Sequence, residues 1–561
     1  MLTIERMKSF PGEKVVFLAP TRPLAEQHLK YFKKNLPELF GDMQLFTGTV
    51  NSENRKKIWQ TADIIFSTPQ CVDGETLIFT EEGPIKISEF FKKFKFEEEN
   101  YIEGKGNVAE IKEKVLGYDG QKIRFLNASK AWKLPGKELI KIKTEIGNTL
   151  LCTKNHPLLT INPDGKIIWK EASQLNKGEY IASIKEIDIE EKQLEIINLI
   201  SNSESLKIAD KSLIKELIQK LKENKVKRTA YSRYLYNFIP IKLFLELSKK
   251  TGLNYDSLTL TDNYGKSGSV KLPRCLDFKL AYILGAMLGD GHIGNREKHG
   301  GEVVFSELDR DSICDEMKNA VRDIFGVEMK KSPKGIIAYN SALSSFLSLL
   351  GIPKGNKAKI IRVPQFMFFT DKNSIRGFIK GIFDTDGNAS KYGVSISSVS
   401  ERFIQELKWL FLRIGILGNV EKRENKGSMI EGRKIKPSEI FTFRFSGREN
   451  LQKFLDVNPD KNKCKKLIET LNNTKRPETR SKEILPVLEL MKKIHKSNRG
   501  KAEYYKFSCL SIDNLRKLAE NLEGTDASKL KELLDLPIRW VKIKEKQEYN
   551  DEKEVYDLTV E

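Results

Sequence analysis

The sequence predicts a multidomain protein of the α+β class. At 561 residues the chain is too long for one hydrophobic core, and a length of about 100–200 residues per domain indicates several units. Short β-prone segments broken by Gly, Asn-Pro and Asp-Gly turns fill one stretch, whereas apolar residues at helical spacing fill others. The expected parts are a small α/β segment, an all-β domain, a larger α+β region and extra helical segments.

Changes in composition along the chain indicate the domain boundaries. A parallel α/β piece comes first, β-prone sequence begins at Cys71, and basic helical, mixed, helical and short β-prone stretches follow. Gly252 is the predicted turn between two helices, in an ordinary helical hairpin or in a helix-turn-helix. The predicted domains are residues 1–70, 71–184, 185–276, 277–458, 459–535 and 536–561.

Lysine and arginine outnumber the acidic residues, so that the formal net charge is +20 and the pI is about 9.3. Such an excess favours a polyanionic partner, because each neutralised phosphate releases counterions. Nucleic acid is therefore the expected partner, and a lysine-rich surface of the thermophile type is the alternative.

The six cysteines form no C-x-x-C pair, so the sequence indicates neither a zinc site nor a disulfide framework. No apolar run approaches the ~18 residues that a membrane span needs, and the N-terminus lacks the apolar core of a signal peptide. The sequence therefore predicts a cytoplasmic protein with no membrane partner.

The first 70 residues contain a strand, a turn, a helix and a second strand. The run KVVFLA leads into PTRPLAEQHLKYF, in which Thr21 can cap a helix, and ADIIFSTPQ repeats the strand pattern. This piece resembles part of a superfamily 2 helicase core, most closely the archaeal Hef type, with APTRPLAEQH similar to motif Ia and STPQ to a loop that touches the nucleic-acid backbone. The resemblance implies nucleic-acid contacts by Thr21, Arg22 and Thr68.

A helicase motor also needs the loop G-x-x-x-x-G-K-[ST], which cradles phosphates, and a later Asp-Glu pair for magnesium. Neither pattern occurs in the helicase-like residues 1–70, and the later YGKSG lacks the first glycine because Leu260 stands in its place. We therefore expect ATP to be bound only by the complete helicase and not by this fragment.

A cysteine stands where the helicase-like sequence stops. A thiolate attacks carbonyl carbons well, so Cys71 can take the upstream chain from the carbonyl of Gln70 if a donor protonates the leaving nitrogen. Histidine suits that task, and the sequence TKNH supplies Thr153 and His156. Taken alone, this histidine is more typical of a surface loop before Pro157.

Three stretches together, CVDGETLIFTEEG, GNTLLCTKNHPLLT and VYDLTVE, resemble three sequence blocks of an intein, the self-splicing Hint-domain family. The resemblance implies an all-β, horseshoe-shaped domain that excises itself from a host protein. It implies that Cys71 forms a thioester and that Thr153 and His156 activate the scissile amide. It further implies that Asp557 assists at the active centre and that Gln70 is the last residue of the upstream host.

Inteins finish splicing through a terminal Asn that cyclises after transfer to a Cys, Ser or Thr of the downstream host. Glu561 is reached before any such residue. We therefore expect a fragment of a larger gene product whose partners are the two helicase exteins. As it stands, it is expected to form the thioester and to cleave after Gln70 without ligating the exteins.

Two apolar helices are predicted to end on an acid followed by glycine, at Asp290 in LAYILGAMLGDGHIG and at Asp386 in GFIKGIFDTDGNAS. Paired carboxylates in a basic protein suit a magnesium site for phosphodiester hydrolysis. Each motif alone is as consistent with a simple helix-ending turn. Their repetition 96 residues apart favours an internal duplication.

Small residues on these helices predict that they pack closely. Gly285 and Gly289 share one face of the first helix, and Gly381 with Thr385 offers the same spacing on the second. Residues of this size at a spacing of four let two helix backbones approach each other. The two terminal carboxylates are then expected to meet.

The two motifs, with SISSVSERFIQELKWLFLRIGI after the second, resemble LAGLIDADG homing endonucleases. The resemblance implies a monomeric, pseudo-symmetric saddle of two αββαββ halves that cuts double-stranded DNA at the intein-free helicase gene. It implies Mg²⁺ bound by Asp290 and Asp386, each serving one strand. The family's usual catalytic lysine is replaced by Ile361, so Lys359 or Arg362 is expected to serve instead.

Two other interpretations remain from the sequence. One is a helicase or nucleic-acid-binding protein whose Hint and nuclease domains are inactive. The other is a processing-only Hint protein whose nuclease half is a scaffold. The missing ATP loop argues against the first of these.

Overall fold

The structure, a computed structural model, describes residues 15–18, 22–35, 42–46, 57–58, 61–62, 64–67, 71–101, 104–225, 238–255, 257–262, 268–294, 301–306, 311–425, 428–430, 433–435, 437–473, 484–497 and 510–560. The chain forms two compact units. The first unit comprises residues 1–188 and 480–561, and the second comprises residues 189–479. Sheets and helices alternate in both, which confirms the predicted multidomain α+β class.

A small parallel sheet lies near the N-terminus, as the alternation of strands and helix predicts. Its central strand pairs in parallel with one strand on each side. The helix packs Ala25 against Met43 and Ile64, and all three side chains are buried. The strands in sheet order are Val15–Leu18, Ile64–Ser67 and Met43–Phe46, and the helix is Arg22–Asn35.

A thirteen-stranded antiparallel sheet dominates the first unit. Two stretches far apart in sequence contribute to it: Ile538–Tyr549 lies between two strands of residues 139–184, and Lys553–Val560 lies between two strands of residues 72–136. The strands in sheet order are Ile167–Glu171, Pro157–Ile161, Tyr180–Ile184, Ile538–Tyr549, Leu139–Thr144, Thr149–Thr153, Val72–Asp73, Lys553–Val560, Ile123–Gly136, Gly104–Tyr118, Leu77–Thr80 and Gly83–Lys86, and Glu97–Tyr101 pairs with Gly104–Tyr118.

Three helices near the C-terminus share a core with this sheet. Leu490, Leu515 and Leu530, one from each helix, belong to the same buried cluster as Leu159 and Trp540. These helices lie in the first unit, so the segment predicted as one helical domain, residues 459–535, is divided between the two units. The elements are the helices Leu488–Ser497, Ile512–Glu520 and Thr525–Leu534, the hairpin of Ile484–Leu485 with Leu510–Ser511, and the short turns Ile87–Phe90, Phe91–Lys93 and Ala172–Gln174.

The second unit begins with a small α+β module, where the sequence predicted a basic helical segment. Gly252 ends a helix with a positive φ of 62°, but a strand follows it rather than a second helix. The predicted helical hairpin and helix-turn-helix at this glycine are therefore both wrong. The strands in sheet order are Ile239–Pro240, Leu206–Ile208, Leu258–Asp262 and Ser269–Leu272, and the helices are Ile196–Leu199, Lys211–Glu223 and Ile241–Thr251.

The remainder of the second unit is built from two halves with the same order of elements, which confirms the predicted duplication. Each half runs helix, two strands, helix, two strands, helix. In each four-stranded sheet, the last strand in chain order lies between the second and the third. The first half comprises Phe278–Gly289, Gly291–Ile293, Glu302–Phe305, Asp311–Phe325, Lys330–Ser332, Gly335–Tyr339 and Ser341–Leu349. The second comprises Lys372–Asp386, Gly387–Ser390, Gly393–Ser398, Glu401–Arg413, Asn419–Asn425, Ser438–Phe445 and Arg448–Leu455.

Three further elements belong to the second unit: the turn Gln365–Phe368, the hairpin of Ser428–Ile430 with Arg433–Ile435, and the helix Lys461–Asn473. None of the helices in the described ranges is long and apolar enough to cross a membrane.

Candidate functional site

Two centres hold most of the residues that the sequence singles out. The cysteine centre, in the first unit, comprises Cys71, Thr153, His156 and Asp557. The paired-aspartate centre, in the second unit, lies where the Asp290 helix (Phe278–Gly289) and the Asp386 helix (Lys372–Asp386) end.

In the cysteine centre, the backbone of Cys71 is hydrogen-bonded to both the backbone and the side chain of Thr153. The amide N–H of Cys71 donates to the hydroxyl of Thr153 at 3.2 Å, and the amide N–H of Thr153 donates to the carbonyl of Cys71 at 3.0 Å. The Thr153 hydroxyl also reaches that carbonyl at 3.4 Å. The structure therefore brings together two residues that lie 82 positions apart, as the motifs predict.

His156 lies one turn beyond Thr153. Its amide N–H donates to the Thr153 carbonyl at 3.0 Å, and its own carbonyl accepts from the amide of Ala172 at 2.8 Å. The turn is therefore held at both ends, and the half-buried imidazole belongs to the same short loop as the hydroxyl that contacts Cys71.

Asp557 reaches the centre from the far end of the chain. It lies on the strand Lys553–Val560, directly opposite Trp132 on the neighbouring strand. The Trp132 indole donates a hydrogen bond to the hydroxyl of Thr559, two residues after Asp557, at 3.0 Å. On its other edge the same strand pairs with Val72, the residue after Cys71. Its register places Asp557 near enough for its charge to act on the Cys71 thiol.

The environment of Cys71 keeps its thiol protonated. The residue is 1% exposed and packs against Leu134, Leu139 and Val555. Burial raises the pKa of the Cys71 thiol well above its usual range, and the negative charge of Asp557 raises it further. Cys152, in contrast, has a pKa raised to about 12 by burial, and it is a core residue rather than a second nucleophile.

Several predicted positions fall outside the described residues. These are Gln70 at the junction and the predicted nucleic-acid contacts Thr21 and Thr68. Arg22 begins the helix Arg22–Asn35. Their proposed roles therefore remain predictions.

In the paired-aspartate centre, glycines bring the two helices into backbone contact. A Cβ at Gly285 would lie 2.1 Å from the carbonyl oxygen of Phe378, and a Cβ at Gly381 would lie 2.3 Å from that of Tyr282. A Cβ at Gly289 would lie 2.0 Å from the hydroxyl of Thr385. The predicted close packing is confirmed.

This packing brings the two acids to one place. Asp290 and Asp386 stand at the C-terminal ends of their helices, and a Cβ at Gly289 would lie 3.3 Å from a carboxylate oxygen of Asp386. Each helix begins at a capping aspartate, since Asp277 accepts from the amide of the third helical residue and Asp371 does the same.

The lysine beside these acids is Lys357, and not the predicted Lys359. The Lys357 ammonium donates to the carbonyls of Met287, Leu288 and Gly289 at 2.5–2.6 Å, which caps the end of the Asp290 helix. Burial lowers its pKa to about 8, against the opposing effect of the charges of Asp386 and Asp290. Lys359 is exposed, two residues further along the same loop.

Lys463 occupies the equivalent place in the second half, and the sequence motifs did not point to it. Its ammonium donates to the carbonyls of Phe383, Thr385 and Gly387 at 2.9–3.0 Å, at the end of the Asp386 helix. Lysine near a helix C-terminus is favourable because it satisfies open carbonyls and opposes the helix dipole. A lysine 77 positions beyond Asp386 has no local signal that would find it.

Ile361, where the family's lysine is missing, and Arg362, the other predicted substitute, do not contact the helix ends in the described hydrogen bonds and ion pairs. Ile361 is 4% exposed, so it contributes packing and no charge. Arg362 is turned towards Glu406, with 3.5 Å between their nearest nitrogen and oxygen atoms.

The donors at this centre fit a hydrated magnesium ion. Within the described ranges, no group of three or more His, Cys, Asp or Glu side chains could enclose a metal. Mg²⁺ characteristically takes one or two carboxylates and completes its shell with water and substrate phosphates. Asp290 and Asp386 supply that number.

The glycine contact predicts a large effect of one added methyl. We expect Gly285→Ala to destabilise the second unit by about 3 kcal/mol, because the methyl meets the Phe378 carbonyl, a backbone atom that cannot move aside. Urea unfolding measures the effect. Gly252→Ala is the matched control, since its methyl meets nothing within 4 Å and costs only about 1 kcal/mol for the positive φ. Equal losses in the two variants would contradict the contact.

Two family models match this sequence. Residues 77–561 match the intein splicing domain, and residues 1–106 match the DEAD/DEAH box helicase.

The chain is also similar to parts of curated proteins with unrelated names. A probable translation initiation factor IF-2 of Methanocaldococcus jannaschii is 28% identical and covers 69% of this chain. Elongation factor 2 of Methanopyrus kandleri is 25% identical over 88% of the chain, and reverse gyrase of M. jannaschii is 24% identical over 95%. The chain spans 32%, 40% and 33% of the lengths of these three relatives.

Solved structures give partial similarities. The TvoVMA intein covers 20% of this chain and 70% of its own, with a TM-score of 0.19 and 22% identity. Mesophilic variants of the homing endonuclease I-DmoI cover 32% of this chain and 94% of their own, with a TM-score of 0.24 and 11% identity. The intein splicing model alone spans far more than half of the sequence. The chain therefore belongs to the intein splicing-domain family.

Proposed function

We propose that the chain performs the first step of protein splicing at the bond between Gln70 and Cys71. The observation that carries this proposal is the hydrogen bond between the Cys71 amide and the Thr153 hydroxyl. That nitrogen is the leaving group when Cys71 attacks the preceding carbonyl. The contact holds this nitrogen beside the Thr153–His156 loop, from which the proton that an acyl shift needs can be delivered.

In the proposed step, the Cys71 sulfur forms a bond to the Gln70 carbonyl carbon and the carbon–nitrogen bond breaks. The thiol loses one proton and the departing nitrogen gains one, so the shift is balanced. His156, on the Thr153 loop, supplies the proton to the nitrogen. Release of the thioester by an added thiol, detected by mass spectrometry as a peptide ending at Gln70, tests this function.

The charge of Asp557 is expected to set the pH at which this step proceeds. Because a carboxylate disfavours a second negative charge nearby, Asp557→Asn should lower the pKa of the Cys71 thiol. Thiol-dependent release should then rise with pH in both proteins, but at lower pH in the variant. The pH–rate profile of release measures the shift. Coincident profiles would show that Asp557 does not act through its charge.

We also propose that the second unit is a magnesium-dependent endonuclease for double-stranded DNA. The glycine-mediated packing that brings Asp290 and Asp386 together supports it. Magnesium bound by these carboxylates would activate water and stabilise the leaving oxygen of a phosphodiester. The lysines at the helix ends reduce repulsion between the carboxylates and attract phosphate.

The proposed DNA substrate is the host gene without the inserted segment. The match of residues 1–106 to a helicase model and the unrelated names of the relatives both support insertion into a host. We propose that the host is a helicase whose two flanks are the splicing partners. We place the protein in the cytoplasm, where reducing conditions would preserve the Cys71 thiol.

Cleavage of a plasmid that carries the uninterrupted helicase gene, with Mg²⁺ and with EDTA, tests the nuclease. We expect linear DNA in the reaction with Mg²⁺ and none in the reaction with EDTA. Release of the thioester without any DNA cleavage would instead support a protein that only processes itself and whose second unit is a scaffold.

A further inference from the structure

The Asp386 helix carries a buried pair of opposite charges that the Asp290 helix lacks. Lys380 is 3% exposed and Asp384 is fully buried, and their charged atoms lie 2.5 Å apart. Glu316 gives Lys380 a second carboxylate at 2.9 Å. The equivalent positions 96 residues earlier are Leu284 and Leu288, which are also buried.

The second oxygen of Asp384 leads to Lys463. It accepts the amide N–H of Asp460 at 2.8 Å, and Asp460 directly precedes the helix Lys461–Asn473. The side chain of Asp460 accepts from the amide of Lys463 at 2.9 Å, which is an N-cap contact. The Lys463 ammonium then returns to carbonyls on both sides of Asp384. A closed path of hydrogen bonds thus runs from Asp384 to the lysine and back.

Lys357 in the other half is held by different means. Its loop is fixed where Glu406 accepts the amide of Val363 at 2.8 Å and where Ser400 donates to the carbonyl of Ile361 at 2.9 Å. No charge from within the Asp290 helix takes part in these contacts.

We propose that Asp384, held by Lys380, is a positioning residue for Lys463 and thereby for one of the two DNA strand cuts. This inference rests on the proposed nuclease function. Buried ion pairs add little stability compared with apolar residues of similar size, and fixing one arrangement is their better attested use. The two halves of the duplicated region would then differ in what holds their lysines in place, although their carboxylates and lysines occupy equivalent positions.

The test is the double variant Lys380→Leu with Asp384→Leu, which copies the Leu284 and Leu288 pair of the other half. On a plasmid that carries the target site, we expect the variant to accumulate nicked circles, with one strand cut roughly 2- to 30-fold more slowly, the range that loss of a helix cap implies. End-labelled duplex identifies the strand. Equal slowing of both strands, or no slowing, would overturn the proposal.

A second measurement does not depend on DNA cleavage. Reductive methylation followed by mass spectrometry gives the reactivity of each lysine in the whole protein, and Lys357 is the internal control. We expect Lys463 to react several times faster in the double variant while Lys357 is unchanged. Unchanged Lys463, or equal increases at both, would refute the positioning role. A parent protein that cuts no DNA would refute the nuclease function, and methylation alone would then decide the role of Asp384.

Discussion

Replacing Cys71 with alanine is expected to abolish thiol-dependent release of the upstream segment. The side chain supplies the only atom that can form the thioester at this junction, so we expect a loss of roughly 10³-fold or more, to the background of the assay. The measurement is the amount of peptide ending at Gln70 after incubation with excess thiol.

Cys275→Ala is the matched control for this change. Cys275 is half-buried and lies in the second unit, so its loss removes a thiol without touching the cysteine centre. It should release the peptide at the parental rate. Release from Cys71→Ala at a comparable rate would remove the thioester mechanism altogether.

Asp290→Asn and Asp386→Asn are each expected to reduce DNA cleavage strongly. Each change replaces a carboxylate by an amide of nearly the same shape and is expected to weaken magnesium binding at the proposed site. Because a catalytic metal ion contributes several kcal/mol to transition-state stabilisation, we expect a loss of roughly 10²–10³-fold on the strand that the changed residue serves. Strand-resolved cleavage of end-labelled duplex measures it.

The control for these variants is Asp323→Asn, in the same unit. Asp323 pairs on the surface with Lys279 of the Asp290 helix at 2.8 Å, so this change also removes one carboxylate charge near that helix. Cleavage by this variant should equal that of the parent. If either Asp290→Asn or Asp386→Asn also cuts both strands at the parental rate, its residue is not a metal ligand.

The sequence predicted those parts of the sites that carry their own local pattern. Cys71, Thr153 and Asp557 lie in the three stretches that resemble intein sequence blocks, and the structure joins the first two by direct hydrogen bonds. Gly285 and Gly381 were predictable because a small-residue face on a helix has few other uses.

The lysines were missed for a physical reason. Lys357 reaches the end of the Asp290 helix from a loop, and Lys463 reaches the end of the Asp386 helix from a later helix, so both meet these ends only in the folded protein. The sequence does not distinguish Lys357 from Lys359, because both lie on one short loop and only the folded structure turns one inward and leaves the other exposed. Similarly, the sequence pattern indicates that a helix ends at Gly252 but does not indicate whether a helix or a strand comes next.

The interleaving of Ile538–Tyr549 and Lys553–Val560 with strands from the start of the sheet has a consequence for the timing of biosynthesis. On the ribosome, Cys71 emerges long before Asp557, and the sheet around it lacks two of its inner strands throughout that interval. The second unit is translated entirely within this delay. The Cys71 thiol therefore reaches its finished surroundings only after the whole second unit has been made, so the proposed acyl shift cannot start in those surroundings before that unit is complete.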